Sequence, residues 1–329
     1  MKRNTTFLFV LFAIGLAILL GIALGKYSSS VLVAQLPEAA CVATMADIIQ
    51  SAKGNVYEVD DPNYVEPKSY NLVTYLVKGD EITNPLYSFI TTDLLDEQRD
   101  HASQDEAWRI FTTLIPSESR QMVTQYLIFT DGSENTLAAV DQTKEDLTHW
   151  IVEVDVADLD SKDALLFTLV HEYAHLLTLN DSQVSVDQEI YNDPYNLSLL
   201  NSKATACPNY FAGSGCSLPN SYINAFYQRF WVDISTEWEK IDLLQYEDDL
   251  DPYYAGLYNF YLIHQDQFVD DYSTTHPAED IAESFAYFVF SPRPAGTTIK
   301  DQKVLFFYEY PELVELRQSI LKGTCFTLQ

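Results

Sequence analysis

Basic residues are scarce in this sequence. Lysine and arginine together number 19 against 48 aspartates and glutamates, which gives a formal charge of −29 over 329 residues. A chain with so large a negative charge repels nucleic acid and anionic lipid head groups. The composition therefore excludes both as expected partners of the folded part, whereas its 47% of apolar residues is enough to bury a sizeable core.

Cysteine is also rare, and the four cysteines show no Cys-x-x-Cys spacing, so a cysteine-based zinc site is not expected. An even number of cysteines fits disulfide pairing in an oxidising compartment. Cys207 and Cys216 bracket a short loop with two glycines and a proline, which makes them the favoured pair. Cys41 with Cys325 would be the second pair, and buried free thiols are the alternative.

Long hydrophobic runs are absent except at the N-terminus. Lys2 and Arg3 precede residues 7–25, which carry no charge. At about 1.5 Å per residue, a helix of that length covers roughly 28 Å, close to the thickness of bilayer hydrocarbon. We predict a cytoplasmic segment 1–6, a transmembrane anchor or cleaved signal segment 7–25 and a tether 26–41. The rest of the chain is expected to be extracytoplasmic if anchored, or secreted if the segment is cleaved.

From residue 42 onward the sequence lacks repeats and any linker rich in proline, glycine or serine that would separate two domains. We therefore predict one α+β domain over 42–329, with a small mixed sheet in an N-terminal lobe (about 42–180) and a mainly helical C-terminal lobe (about 181–329). The predicted strands are 70–77, 122–129, 136–141 and 149–156. The predicted helices are 92–114, 161–180, 221–246, 252–268, 278–290 and 311–321, with a long loop over 181–220.

The stretch IVEVDV, residues 151–156, alternates apolar and acidic residues, so that one face can pack while the other stays wet. It directly precedes the predicted helix 161–180. We expect this strand to form the edge of the sheet and to pack on that helix. An exposed edge can bind an extended peptide, or it can be an ordinary edge protected by its acidic residues.

Only six histidines are present, yet two of them, His171 and His175, stand four residues apart, and Glu172 follows the first. On a helix the two histidines lie on one face, so both imidazoles can reach a single metal ion. The surrounding residues are apolar, which places the helix in a core. Unsatisfied histidines and a glutamate would be costly there, and a divalent cation would satisfy them.

A catalytic zinc usually takes three protein ligands, so a third must come from elsewhere. Asp181 lies ten residues after His171, where one class of HExxH peptidases places its third ligand, but Thr178 stands in place of the glycine that turns the chain there. Glu279 and Glu283 are the stronger candidates, because they lie four residues apart on one face of an apolar helix. We predict that Glu279 binds the metal and that Glu283 hydrogen-bonds a ligand histidine, although these roles could be exchanged.

HEYAH followed about a hundred residues later by AEDIAESFA resembles the gluzincin metallopeptidases, in which HExxH on one helix is completed by a glutamate on a later helix. The pattern E-x-x-A-E-x-F-A is most similar to lethal-factor-type peptidases and to small bacterial HExxH proteins. The resemblance covers these two segments. It implies a zincin-like fold, one zinc ion and Glu172 as the general base. It also implies a tyrosine seven residues before the third ligand that stabilises the tetrahedral intermediate; Tyr272 has this spacing, and His276 is the alternative donor.

These features lead us to expect an exported zinc-dependent peptidase that acts on a peptide or protein substrate. Two other classes of function stay open. The chain could hydrolyse a non-peptide bond, since a zinc site does not by itself choose the substrate. It could also be a non-catalytic surface protein whose metal is structural or lost.

Overall fold

A five-stranded mixed sheet precedes the helices that carry the predicted metal ligands. The structure, a computed structural model, describes residues 42–51, 68–133, 136–247 and 249–328. The described residues from Ala43 onward belong to one unit. The predicted cytoplasmic, membrane and tether segments of 1–41 lie outside the described residues. Among the helices that are described, none is both long and apolar enough to cross a membrane.

The strands are β1 (Tyr70–Lys78), β2 (Glu81–Tyr87), β3 (Val123–Thr130), β4 (Ala138–Thr143), β5 (Asp146–Asp155), β6 (Val184–Val186) and β7 (Gly215–Ser217). The helices are α1 (Val42–Ser51), α2 (Leu95–Arg99), α3 (His101–Leu114), α4 (Lys162–Leu179), α5 (Gln188–Asn192), α6 (Leu197–Ala206), α7 (Tyr222–Phe230), α8 (Ser235–Asp242), α9 (Asp251–Ile263), α10 (Pro277–Phe290), α11 (Ile299–Phe306) and α12 (Pro311–Thr327). This arrangement confirms an α+β fold with a small mixed sheet and a mostly helical C-terminal part.

The sheet has the strand order β2-β1-β3-β5-β4. Only β3 and β5 run parallel; the other neighbouring pairs are antiparallel. The edge strand on the helix side is β4, which packs against α4. The prediction that an edge strand packs on the histidine helix is therefore confirmed. The prediction that residues 149–156 form this edge strand is wrong.

The strand predicted to form the edge, 149–156, lies inside the sheet as part of β5. Val152 and Val154 are completely buried. The chain turns back after Thr143, and β4 and β5 pair along their lengths, so both sides of β5 are occupied. Alternation of apolar and acidic residues reports which face of a strand is wet, and it carries no information about which strand is at the edge.

Strand β2 was not predicted, because Pro85 interrupts a run with poor alternation. The structure places it at the opposite edge of the sheet, where a residue without an N–H donor is tolerated. Gly79, with φ of 62°, supplies the left-handed turn between β1 and β2.

Two predicted helices are interrupted. Asp100 ends α2 and caps α3, because its carboxylate accepts a hydrogen bond of 3.2 Å from the Ser103 N–H. The predicted helix 221–246 is divided into α7, α8 and a short 3₁₀ segment, Leu243–Tyr246. No proline marks that break. It allows the indole of Trp231, which is completely buried, to pack edge-on against Trp238 at 5.6 Å, so tertiary packing outweighs local helix propensity there.

The stretch 181–220, predicted as a loop, contains two short helices, α5 and α6, and the two-stranded sheet β6-β7. The predicted disulfide between Cys207 and Cys216 is confirmed, with Cα atoms 5.4 Å apart. Cys325 is also disulfide-bonded. Its predicted partner, Cys41, lies outside the described residues.

Helices α4 and α10 pack side by side. Most of α10 is buried, and aromatic side chains such as Phe285 and Phe288 pack against Phe307 at its back. Arg317 on α12 donates hydrogen bonds to the carbonyl oxygens of Phe288 (2.6 Å) and Ser291 (3.1 Å). These bonds satisfy acceptors that the end of a helix leaves without partners. The packing of α4 against α10 brings the two predicted ligand segments together.

Candidate metal centre

His171 and His175 lie one turn apart on α4, where their side chains are buried, with 5% and 8% of the residue surface exposed. Their Nε2 atoms are 3.0 Å apart, and the rings meet edge-on with centroids 4.8 Å apart. The i, i+4 spacing on a helix therefore directs both imidazoles to one point.

Helix α10 brings a carboxylate to the same point. Oε2 of Glu279 lies 3.1 Å from Nε2 of His171 and 3.2 Å from Nε2 of His175. The three atoms thus form a nearly equilateral triangle. Tetrahedral zinc with bonds of about 2.0–2.1 Å holds its ligand atoms about 3.3–3.4 Å apart, so the triangle is close to the size that this ion requires.

The ring nitrogen on the other side of His171 faces Glu283. Nδ1 of His171 lies 2.8 Å from Oε1 of Glu283, which is 6% exposed. A carboxylate at this place holds the imidazole proton on Nδ1 and leaves the lone pair of Nε2 pointing at Glu279 and His175. Electron pairs facing one another in a buried site repel, and a cation between them would relieve the repulsion. Two imidazole nitrogens and a carboxylate oxygen are also a donor set that catalytic zinc sites use.

The charges of the site show the same need for a positive centre. Burial lowers the pKa of His171, but Glu283 and Glu279 outweigh this effect and bring it well above its usual value. Burial raises the pKa of Glu279, yet His175 and His171 hold it well below the ordinary range. The side chains by themselves thus favour an imidazolium at His171 next to the carboxylate of Glu279, so that a proton supplies the positive charge.

Asp270 lies behind Glu283 and was not singled out from the sequence. Burial and the neighbouring Glu283, with which it shares a hydrogen bond, raise the pKa of Asp270 well above the usual range. Its Oδ1 accepts hydrogen bonds from the N–H (3.0 Å) and the hydroxyl (2.6 Å) of Ser273. Asp270 therefore keeps a proton, which it can donate in its hydrogen bond to Glu283. No spacing pattern links Asp270 to the histidines, so only the folded chain reveals it.

Glu172 lies between the two histidines and the edge strand. Its carboxylate and the imidazole nitrogens of His171 and His175 all lie within 4.8 Å of one another. Burial raises the pKa of Glu172, the two imidazoles lower it, and a hydrogen bond from the Val140 N–H on β4 also lowers it. A carboxylate with these neighbours is suited to take up a proton reversibly.

Further acidic groups surround Glu172 on the sheet side. Glu153 on β5 has its pKa raised to about 7 by burial, by Asp141 and by Glu172. Glu153 pairs with Ala139 across the β4–β5 ladder, and Asp141 follows two residues later on the same face of β4. The edge strand thus presents negative charge next to the candidate centre.

Both predicted oxyanion donors lie near the ligands. The ring of Tyr272 is 5.8 Å from that of His171, and the side chain is 39% exposed. Burial of its hydroxyl and the neighbouring Glu279, to which it is hydrogen-bonded, raise the pKa of Tyr272. The group is therefore a protonated phenol that can donate a hydrogen bond.

His276 caps α10, where its Nδ1 accepts a hydrogen bond of 3.1 Å from the Ala278 N–H. Burial lowers its pKa to about 4, with Glu279 opposing and His175 reinforcing the shift. The ring is thus neutral at pH 7 and carries its proton on Nε2, so it too can act as a donor. Capping alone, however, is a sufficient structural reason for a histidine at this position.

The weaker third-ligand candidate, Asp181, is exposed and does not belong to this cluster. The chain does not turn at Thr178. Its buried hydroxyl donates a hydrogen bond of 2.7 Å to the Ala174 carbonyl, and α4 continues to Leu179. Without a glycine at position 178 the helix carries Asp181 beyond the ligands.

Tyr210 is a second neighbour of the site that was not predicted. Its ring stacks on Tyr227 at 4.1 Å, and its hydroxyl is buried with no hydrogen-bond partner among the described residues. Burial, then Tyr227, Asp242 and Glu279, raise its pKa. The available signal in the sequence was its position inside the loop that Cys207 and Cys216 bracket.

Comparisons with known proteins give no relative for this arrangement. No protein-family model matches the chain, and no curated protein or solved structure matches it. Support for a function therefore comes from the residues of the candidate site alone.

Proposed function

We propose that the protein is an exported zinc-dependent peptidase of the gluzincin type. One observation carries the proposal: α4 and α10, which are about a hundred residues apart in the sequence, direct two imidazole nitrogens and a carboxylate oxygen to within 3.2 Å of one another. His171, His175 and Glu279 would hold the metal, and Glu283 would orient His171 from behind.

Bound zinc would lower the pKa of a water molecule towards about 7 and polarise the carbonyl oxygen of the substrate. Glu172 would accept the proton of the attacking water on a carboxylate oxygen and then deliver it to the nitrogen of the leaving amine. Its raised pKa supports this role, because a general base works best when its pKa lies near the working pH.

Tyr272 would donate its phenolic proton in a hydrogen bond to the carbonyl oxygen as negative charge develops there, and His276 is the alternative donor. Tyr272 is hydrogen-bonded to Glu279, and its partly exposed ring leaves it accessible from solvent. On substrate binding, the Tyr272 hydroxyl would therefore donate its hydrogen bond to the substrate carbonyl oxygen instead of to Glu279.

A peptide substrate would lie along β4. That strand is the edge of the sheet, and the Val140 N–H contacts Glu172, so a chain added to this edge would pass next to the general base. The acidity of the chain supports a peptide rather than a nucleic acid as substrate.

The proposal is tested with purified protein, by metal analysis and by a chelator-sensitive cleavage assay on a mixture of denatured proteins. E172Q should retain stoichiometric zinc and the wild-type melting temperature, yet lose about 10²- to 10⁴-fold in cleavage rate, because only the proton acceptor is removed. Full activity of E172Q would refute the role of this residue. Zinc without cleavage of any protein would favour a non-peptide substrate, and absence of bound metal would favour a non-catalytic surface protein.

A further inference from the structure

A fully buried lysine lies next to the helix that carries Glu279. The side chains of Lys303 on α11 and Asp280 on α10 are both 0% exposed, and Nζ lies 2.6 Å from Oδ2 of the carboxylate. The same oxygen accepts a hydrogen bond of 2.7 Å from Nε1 of Trp231, the residue at the end of α7. Asp280 directly follows Glu279, so this contact lies one residue away from the proposed ligand.

Lys303 also contacts the segment that carries Tyr272. Its Nζ lies 3.9 Å from the ring centre of Phe268, well within the range of a cation–π interaction. Phe268 precedes Asp270, the partner of Glu283, by two residues and Tyr272 by four. One buried ammonium group thus joins α10, the end of α7 and the segment 268–274.

A buried ion pair is an inefficient way to stabilise a core. Removing an ammonium and a carboxylate from water costs several kcal/mol per ion, and an apolar pair of similar volume is often equally stable or more stable. Apolar side chains, however, tolerate sliding, whereas two opposite charges in a dry core must stay in contact. The pair therefore restricts the rotation of α10 and its movement along its axis.

We propose that Lys303 is a positioning residue for the metal centre. Through Asp280 and Phe268 it holds α10 and the segment 268–274 so that Glu279 reaches the imidazoles and Tyr272 stays next to them. The inference deepens the proposed function and depends on it in one respect, namely that a divalent cation occupies the centre. Displacements of the ligand atoms by only about 0.5 Å are enough to impair a metal site, so the residues that hold the ligand-bearing segments in place affect metal binding.

The test measures Co²⁺ binding by the full chain, using competition with a chromophoric chelator and the d–d absorption spectrum. K303M alone would leave Asp280 buried and charged without its partner, and it is expected to fold poorly. The informative variant is D280N/K303M, in which no charge remains and the amide oxygen at position 280 can still accept the Trp231 hydrogen bond. We expect its metal-free melting temperature to stay within about 4 °C of the wild type. Its Co²⁺ affinity should fall about 10- to 100-fold, with a changed spectrum.

R317M is the matched control, because Arg317 is also buried and binds the other end of α10. This variant should be less stable but should bind Co²⁺ with wild-type affinity and spectrum under conditions where it is folded. Equal weakening in R317M would mean that any loosening of α10 suffices, and this result would overturn the specific role of Lys303. Wild-type affinity and spectrum in D280N/K303M would overturn it as well.

If the double variant fails to fold, F268L provides a second test, because it keeps the ion pair and removes the aromatic ring through which Lys303 contacts the segment 268–274. We expect a loss of about 2- to 10-fold in Co²⁺ affinity, the value of one cation–π interaction; no change would overturn the proposal. A wild-type chain that takes up no Co²⁺ would overturn the metal centre together with its positioning residue. A chain that binds Co²⁺ but cleaves nothing would overturn the peptidase proposal alone.

Discussion

Two regions of the molecule bury charged groups, and they satisfy them in different ways. At the far end of the sheet, Arg120 is 3% exposed and donates to the carbonyl oxygens of Ile115 (3.0 Å) and Gly79 (2.6 Å) and to the carboxylate of Asp80. Each of the three guanidinium nitrogens there meets an acceptor, so the charge is compensated by its own surroundings.

The candidate metal centre is built differently. Three atoms that can each offer a lone pair, from His171, His175 and Glu279, lie within 3.2 Å of one another, with further carboxylates behind them. Such a cluster is satisfied only by an added positive charge. Burial of polar groups therefore does not mark a candidate site by itself; buried acceptors that face one another do.

The largest effect is expected from H175A. Removal of one of three ligands should reduce zinc binding below detection, whereas R120M, at the satisfied end of the molecule, should leave zinc stoichiometry unchanged and lose about 2–4 kcal/mol of unfolding free energy. Metal analysis after gel filtration and urea unfolding of both variants measure the two quantities. Stoichiometric zinc in H175A would mean that the metal binds elsewhere. The cluster of His171, His175 and Glu279 would then not differ from the surroundings of Arg120 in its need for a cation.

Y272F should leave zinc in place and lower kcat by about 10²- to 10³-fold, because the missing hydroxyl donates to the carbonyl oxygen only as charge develops. Y75F is the matched control. The Tyr75 hydroxyl donates a hydrogen bond of 2.6 Å to Gln104 at the far end of the sheet, so its loss should affect stability and leave kcat unchanged. An unchanged kcat in Y272F would transfer the donor role to His276.

E283Q should lower zinc affinity about 10- to 100-fold, because an amide holds the Nδ1 proton of His171 less firmly than a carboxylate does. The exposed pair of Arg229 and Glu309 offers a control, since E309Q removes a surface partner at 2.7 Å and should not alter zinc affinity. Competition with a chelator measures both variants. Equal affinities would show that Glu283 serves only the packing of α10.

The sequence predicted which polar side chains lie together better than it predicted the architecture around them. The i, i+4 spacings placed His171 with His175 and Glu279 with Glu283, because a helix fixes which side chains share a face; the need of both buried pairs for a cation, together with the gluzincin resemblance, predicted that the two helices meet. The order of strands depends on pairing between distant segments, and alternation within β5 could not reveal that β4 covers its edge. Asp270 and Lys303 were not predicted from the sequence for the same reason, because their partners are set by contacts between distant segments rather than by local spacing.

The smallest effect is expected from E153Q, measured on protein stripped of metal by a chelator. Burial, Asp141 and Glu172 raise the pKa of Glu153 to about 7, so the folded chain binds this proton more tightly than the unfolded chain, in which a glutamate has a pKa of about 4.3. The unfolding free energy of the wild type should therefore fall as pH rises from about 4.5 to 7. E153Q should remove about 1–3 kcal/mol of that decline, so that it is more stable than the wild type at pH 8.

E145Q, which changes an exposed glutamate in the turn between β4 and β5, should retain the wild-type slope of unfolding free energy against pH. If the unfolding free energies of the wild type and E153Q change with pH by the same slope, Glu153 is well solvated. The cluster of buried carboxylates that distinguishes the site end of the sheet from the Arg120 end would then include Glu172 but not Glu153.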